Sequence, residues 1–173
     1  MSRIAVLALG SNLGDRAAML QGAVDAILES PAVTGLAVSP VYETAPVDGS
    51  DQPEYLNAVL LLDTELPAEA LLDRAHAVEQ AFGRVRQERF GARTLDVDVI
   101  AVGDETSSDP SLTLPHPRAH ERAFVLAPLG DVAPDLVLPG RGTVSQLLAA
   151  LPHPIDGTAA MRKRDDITLR LPL

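Results

Sequence analysis

The stretch YLNAVLLLDT, residues 55–64, lies at the centre of the pattern that decides the fold. Its dense apolar composition predicts a β-strand. Before it, residues 44–53 carry two Pro, a Gly, a Ser and two Asp, which predicts a long exposed loop. After it, Pro67 suits the first position of a helix that ends at Gly83. The apolar face of this helix consists of Leu71, Leu72, Ala75, Val78 and Phe82.

Further strands and helices are predicted on both sides of this segment. Residues 33–43 predict a strand before the loop, and residues 3–9 predict a buried strand near the start of the chain. Between these two strands, a turn at Gly10–Asp15 leads into a helix from about Asp15 to Leu28, with apolar residues at helical spacing. Beyond a charged stretch, residues 94–102 predict one more strand.

This order, β-α-β-β-α-β, predicts an α+β fold of the ferredoxin-like kind, an antiparallel four-stranded sheet with two helices on one face. Residues 104–120 are rich in Ser, Asp and Pro and are predicted to be loop. Short helices predicted at 121–129 and 144–151 form a C-terminal helical extension. We therefore expect one domain over residues 1–155, followed by a loosely attached polar tail over residues 156–173.

Composition limits the classes of partner. The 173-residue chain has a formal net charge of −10, which argues against nucleic acid or an anionic membrane as a partner. No apolar stretch approaches the roughly 20 residues that span a bilayer. The first apolar run, Ile4 to Leu9, is too short for a signal-peptide core, so the expected location is the cytoplasm. There are no cysteines, which excludes disulfides and thiolate metal sites.

Asp96 and Asp98 carry the sharpest chemical signal. They are two residues apart in a predicted strand, so both carboxylates project from one face, with Cα atoms roughly 6.5–7 Å apart. Such a pair repels unless a cation lies between the carboxylates, and oxygen ligands without His or Cys suit Mg²⁺. A solvated strand face with two charges is an equally weighted alternative.

Arginines cluster just before these carboxylates. Arg84, Arg86, Arg89 and Arg93 lie within ten residues of each other in an otherwise acidic chain. A metal pair beside arginines is typical of phosphoryl-group transfer, in which positioning and charge neutralisation do most of the catalysis. The alternative is a loop with solvated arginines.

Other candidate residues give weaker signals. The Gly10–Asp15 turn matches neither a P-loop nor a dinucleotide fingerprint, and a plain tight turn is its simpler interpretation. Tyr55 and Asn57 share one strand face and could stack on and hydrogen-bond a flat heterocycle, although an ordinary strand pair is the commoner case. His116 is a lone histidine, which is more often structural, but its Pro-His-Pro-Arg context could place donors near phosphates.

Several motifs together resemble one family, the 6-hydroxymethyl-7,8-dihydropterin pyrophosphokinases. The similar segments are LGSNLG at 9–14, YETAP at 42–46, DQPEYLNA at 51–58, GRVR at 83–86, GARTLDVD at 91–98, LPH at 114–116, and then Arg122 and Phe124. They occur in the family's order and extend from residue 9 to about residue 130. Ala45, Phe90, Ala92 and Pro117 depart from the family's usual pattern.

The resemblance implies a role for each matched residue. Catalysis would fall to Arg84, Arg93, Asp96 and Asp98, and both aspartates would bind two Mg²⁺ that bridge the phosphates of ATP. The nucleotide would contact Leu72, Glu79, Arg84, Arg86, Arg93, Val99, Thr113, His116 and Arg122. The pterin would contact Gly10, Thr44, Pro46, Val47, Tyr55, Asn57 and Phe124, with Tyr55 and Phe124 stacked on the two sides of its ring.

The implied reaction is attack by the pterin hydroxymethyl oxygen on the β-phosphorus of ATP, which gives AMP and the pterin diphosphate for folate biosynthesis. The loops 44–53 and 84–93 would close over the substrates, and the enzyme would act as a monomer. Two alternatives remain open at this point. One is another ATP-dependent transferase, such as a kinase that releases ADP, and the other is a non-catalytic ferredoxin-like module that binds a small ligand.

Overall fold

The fold is built on an antiparallel sheet, seen in a computed structural model that describes residues 2–44, 54–83, 95–151 and 161–172. The first half of the chain contains β1 (Arg3–Ser11), α1 (Arg16–Ile27), β2 (Val33–Val38), β3 (Val41–Thr44), β4 (Tyr55–Thr64) and α2 (Ala68–Gly83). The second half contains β5 (Asp96–Val102), β6 (Ser107–Asp109), β7 (Leu112–Leu114), a 3-10 turn (Ala119–Glu121), α3 (Ala123–Val132), β8 (Val137–Leu138), β9 (Gly142–Thr143), α4 (Val144–Ala149) and β10 (Met161–Arg164).

The main sheet has six strands in the described part of the chain. Its order is β10-β3-β4-β1-β5, and β2 also pairs with β4 beyond the end of β3. Every neighbouring pair is antiparallel. The predicted strand 55–64 is β4, which pairs with β1 from Leu56 to Thr64 and is buried at most positions. The predicted α+β, ferredoxin-like architecture is therefore confirmed.

Helices cover both faces of this sheet. On one face, α1 and α2 pack against alternate residues of the strands, among them Leu7, Leu60 and Val97. On the other face, α3 and α4 pack on a second apolar cluster that includes Val6, Val59 and Ile100. The C-terminal helical extension therefore closes the face that the two predicted helices leave open. No helix among the described residues is long and apolar enough to cross a membrane.

Several predicted boundaries differ from the structure, and the predicted turn at Gly10–Asp15 starts later because Gly10 and Ser11 belong to β1. The predicted strand 33–43 is divided into β2 and β3 at Ser39–Pro40, because Pro40 has no N–H to continue the ladder. Ser39 keeps the junction on β4, since its hydroxyl accepts from the Val59 N–H at 2.8 Å. The predicted loop 104–120 contains a hairpin, β6–β7. The helix predicted at 121–129 is α3, which runs from Ala123 to Val132.

The tail also differs from its expected loose attachment. Residues 161–164 form β10, which pairs with β3 at the edge of the sheet. Leu169 beyond it is buried against the α1 and α2 side of the core. The Gln21 side chain donates to the Arg170 carbonyl at 2.8 Å and accepts from the Arg170 N–H at 2.9 Å. Residues 161–172 are thus packed on the domain through backbone pairing, apolar contact and hydrogen bonds.

Candidate active site

The carboxylates of Asp96 and Asp98 lie on one face of β5, as the two-residue spacing predicts. Leu95, Val97 and Val99 point to the opposite face and are buried in the core with α1 and α2. Asp96 is half-buried and Asp98 is exposed. Both side chains are therefore accessible on the face of the sheet that α3 partly covers. Core packing on the opposite face holds β5 in place.

A cleft of about 570 Å³ opens beside β5, between α2 and the β6–β7 hairpin. It brings both aspartates together with five residues that the resemblance gives to the nucleotide, namely Leu72, Glu79, Val99, Thr113 and His116. Its remaining lining residues are His76, Val97, Pro110, Ser111, Leu112 and Pro117. Carboxylates, two histidines, two hydroxyls and apolar walls in one cleft are the mixture expected at a ligand site.

Glu79 connects α2 to β5. Its carboxylate accepts a hydrogen bond from the Val97 N–H at 2.8 Å. This N–H lies on the edge of β5 that pairs with no other strand in the described sheet. Sequence reasoning missed His76, although it follows Leu72 by four residues and precedes Glu79 by three, a spacing that places all three on one side of α2.

His116 is anchored by its backbone and by one ring nitrogen. Its N–H donates to the Ile100 carbonyl at 2.8 Å, and its Nδ1 accepts from the Arg118 N–H at 3.2 Å. Burial lowers the pKa of His116, and nearby Arg122, Arg118 and Arg141 lower it further against the opposing effect of Asp98. The neutral ring is therefore favoured, and because Nδ1 accepts, its proton lies on Nε2.

Four of the residues predicted to bind the pterin, Gly10, Thr44, Tyr55 and Asn57, lie on the adjacent strands β1, β3 and β4. Asn57 donates to the Thr44 hydroxyl at 2.8 Å, and both side chains are buried. Gly10 pairs with Asn57 on β4 and with Asp96 on β5. A Cβ at Gly10 would lie 3.3 Å from the Asn57 side-chain oxygen and 3.7 Å from the Tyr55 ring, so glycine keeps this position open.

Phe124 and Arg122 lie at the start of α3. The Arg122 guanidinium is 5.5 Å from the centre of the Phe124 ring, a cation–π distance. Arg122 does not line the cleft, although its positive charge helps to lower the pKa of His116. The stacking of Phe124 and Tyr55 on a pterin remains a prediction. Pro46, Val47, Arg84, Arg86, Arg89 and Arg93 lie outside the described residues, as do most of loops 44–53 and 84–93.

The donor set fits a magnesium ion. Among the described residues, no group of three or more His, Cys, Asp or Glu converges in a way that could hold a metal by itself. Asp96 and Asp98 therefore offer two carboxylates and no closed protein cage. Mg²⁺ is commonly held in this way, with the remaining ligands supplied by water and substrate phosphates.

Comparison with known proteins gives a consistent match. Residues 6–134 match the family model described as 7,8-dihydro-6-hydroxymethylpterin-pyrophosphokinase. Three relatives bear the name 2-amino-4-hydroxy-6-hydroxymethyldihydropteridine pyrophosphokinase. That of Methylorubrum extorquens is 48% identical over 147 residues, covering 85% of this chain and 92% of the relative. That of Pseudomonas aeruginosa is 45% identical, covering 84% and 90%, and that of Mycobacterium bovis is 42% identical, covering 100% and 97%.

A solved structure shares the fold. The Plasmodium falciparum HPPK-DHPS wild type with pteroate superposes with a TM-score of 0.62 at 16% identity. The match covers 85% of this chain but spans only 42% of that longer chain. Together with the relatives, the match of residues 6–134 shows that this chain belongs to the 7,8-dihydro-6-hydroxymethylpterin-pyrophosphokinase family, ATP-dependent diphosphotransferases of folate biosynthesis.

Proposed function

We propose that this chain transfers the diphosphate group of ATP to 6-hydroxymethyl-7,8-dihydropterin from a site in which Asp96 and Asp98 hold two Mg²⁺. Family membership gives the reaction, and the position of both aspartates in the cleft beside β5 is the observation that supports the residue assignment. The strand holds its carboxylates at fixed spacing, so the site is built on a rigid element.

Strand register supports the relative placement of the two substrates. Gly10 pairs with Asn57 on one side and with Asp96 on the other. Because neighbouring strands lie about 4.8 Å apart, the Cα atoms of Asn57 and Asp96 are roughly 10 Å apart across Gly10. A pterin ring held by Asn57, Thr44 and Tyr55 would therefore extend its hydroxymethyl group toward the carboxylates.

The cleft itself suits the nucleotide. Leu72 and Val99 offer apolar contact, while His116 offers a ring N–H as a hydrogen-bond donor to phosphate oxygens. With its proton on Nε2, the neutral His116 ring can donate without adding a full positive charge. We assign Arg84, Arg86, Arg93 and Arg122 to phosphate binding as well, with Arg84 and Arg93 acting on the transferred group.

In the reaction, the acceptor oxygen forms a bond to the β-phosphorus as the bond from this phosphorus to the oxygen of the α-phosphate breaks. AMP leaves with that oxygen, and the proton of the acceptor hydroxyl passes to water. Bound Mg²⁺ would neutralise phosphate charge and lower the pKa of the acceptor hydroxyl. The chain's own contribution is to align acceptor and donor, and no side chain needs to form a covalent intermediate.

Replacing each aspartate tests this assignment. We expect Asp96→Asn and Asp98→Asn each to lower kcat by about a hundredfold or more, because transition-state charge loses its counter-ion. The assay measures AMP formed from ATP, Mg²⁺ and the pterin alcohol. Asp104→Asn is the matched control, since Asp104 is an exposed carboxylate just beyond β5 and outside the cleft. Full activity in both variants would refute the metal role, and ADP in place of AMP would refute diphosphate transfer.

The proposal also includes a monomeric state and a cytoplasmic location. Sedimentation of the purified chain tests the first, and fractionation of cells that express it tests the second. A stable dimer in the sedimentation experiment would contradict the monomer.

A further inference from the structure

A buried carboxylate lies beside the proposed pterin site without lining the cleft. Glu43 is in β3, directly before Thr44, and only 5% of it is exposed. Arg16 donates to one of its oxygens at 2.7 Å. Arg162 and Arg164 donate to the other oxygen, Arg164 at 3.2 Å. One carboxylate on β3 thus binds the start of α1 and two side chains of β10.

These arginines also reach the start of β4. Arg16 donates to the Glu54 carbonyl at 2.8 Å, immediately before Tyr55. Arg162 lies 3.7 Å from the Glu54 carboxylate. The cluster therefore connects β3, β4 and the tail at the residues next to Thr44 and Tyr55.

The electrostatics show that the Glu43 charge is retained. Burial alone would raise the pKa of Glu43, but Arg16, Arg162 and Arg164 together lower it below its ordinary value. A buried carboxylate that loses one such partner leaves an incompletely compensated charge, which is costly. The cluster is therefore sensitive to the removal of a single arginine.

The strand that carries Glu43 needs such a constraint. β3 has four residues, and its register places Thr44 opposite Tyr55 and Tyr42 opposite Asn57. A short strand has few ladder hydrogen bonds to fix its position. A small displacement of β3 along β4 would separate the Thr44 hydroxyl from the Asn57 amide, which are 2.8 Å apart.

We propose that Glu43, held by Arg16, Arg162 and Arg164, is a positioning residue that fixes β3 against β4 and so holds the Thr44–Asn57 pair in place for the acceptor. This inference rests on the proposed assignment of Thr44, Tyr55 and Asn57 to the pterin. Through Arg162 and Arg164, the C-terminal strand contributes to acceptor binding without touching the substrate.

The test uses Glu43→Gln, Arg162→Ala and the double variant in the full chain. We expect each single variant to raise KM for the pterin alcohol about tenfold, because a small misplacement of binding groups is enough to do so. The KM for ATP should stay within about twofold of the parent, since the cleft lies elsewhere. The two effects on the pterin KM should be less than additive in the double variant, because both substitutions disrupt the contact between Arg162 and Glu43.

Arg3→Ala is the matched control, since it removes a partly buried ion pair with Glu105 at the opposite end of β1 from Gly10. It should lower the melting temperature and leave the pterin KM unchanged. If Glu43→Gln does not fold, the Arg162→Ala variant alone tests the proposal, because the Arg162 side chain is more than half exposed.

Asn57→Ala distinguishes the positioning role of Glu43 from the assignment of Asn57 to the pterin. A raised pterin KM in Asn57→Ala with none in Arg162→Ala overturns the positioning role, whereas no change in either overturns the pterin assignment itself.

Discussion

Gly10 shows how the meaning of a single residue depends on its neighbours in the sheet. In the sequence it belongs to a Gly-rich turn that matches no nucleotide-binding motif. In the structure it lies between Asn57 and Asp96, at the junction of the proposed acceptor and metal sites. Strand periodicity alone predicts that Asp96 and Asp98 share one face. It does not predict this junction, because local residue spacing does not determine the register between strands that are distant in sequence.

Substituting Gly10 tests the junction at the scale of one methyl group. The new Cβ in Gly10→Ala would lie 3.3 Å from the Asn57 oxygen and 3.7 Å from the Tyr55 ring. We expect a several-fold weaker affinity for the pterin, because the methyl group occupies space beside its proposed binding groups. Equilibrium binding of the pterin, followed by fluorescence, measures the effect.

Gly35→Ala is the contrasting control. Its Cβ would lie 2.8 Å from a Leu28 methyl group, far along β2 from the acceptor site. It should lower the melting temperature and leave pterin affinity unchanged. Equal pterin affinity in Gly10→Ala and the parent chain would show that Gly10 does not border the acceptor.

At the scale of elements, the predictable parts are those with strong apolar periodicity. β1, α1, β4, α2 and β5 all lie where the sequence predicts them, because each buries a regular apolar face. β10 has the sequence MRKR, which has no such face. Its strand conformation comes from pairing with β3 and from arginine contacts with Glu43, and both are tertiary. The site arginines at 84–93 were predicted from composition and family resemblance, and they lie outside the described residues.

The link between α2 and β5 can be tested by truncating Glu79. Glu79→Ala removes the acceptor of the Val97 N–H, and we expect a loss of about 1 kcal/mol in the free energy of unfolding. The KM for ATP should also rise, because Val97 and Glu79 both line the cleft. Denaturant unfolding and initial rates measure the two effects.

Glu79→Gln separates the hydrogen bond from the charge. The amide oxygen can still accept from Val97, so stability should stay within about 0.5 kcal/mol of the parent chain. An alanine variant as stable as the parent would contradict a supporting role for this contact.

At the scale of the whole molecule, charge burial links the stability of the domain to pH. The pKa of Glu43 is lowered in the folded chain, although burial opposes this, because Arg16, Arg162 and Arg164 stabilise the ionised form. A carboxyl with a lowered folded-state pKa contributes stability above its unfolded value of 4.5, and this contribution is lost as pH falls through the folded value.

We therefore expect Glu43→Gln to unfold more easily at pH 7, by on the order of 2–3 kcal/mol, because three arginines lose the buried negative charge that they share. The difference between parent and variant should shrink as the pH falls below about 4.5, because the unfolded parent then takes up a proton at Glu43 before the folded parent does. Urea unfolding between pH 3 and pH 7 measures it. A difference that stays constant over this range would show that folding does not lower the pKa of Glu43.

The position of β10 has a consequence for how the protein is made. Among the strands of the described sheet, β10 is translated last, and it covers the outer edge of β3. A nascent or prematurely terminated chain that lacks it exposes unpaired N–H and C=O groups, which can recruit an extended segment of another molecule. Once β10 is in place, it pairs with this edge of β3, and the new outer strand carries charged side chains, which discourage further pairing. By covering β3, the last strand therefore removes an edge at which another molecule could pair.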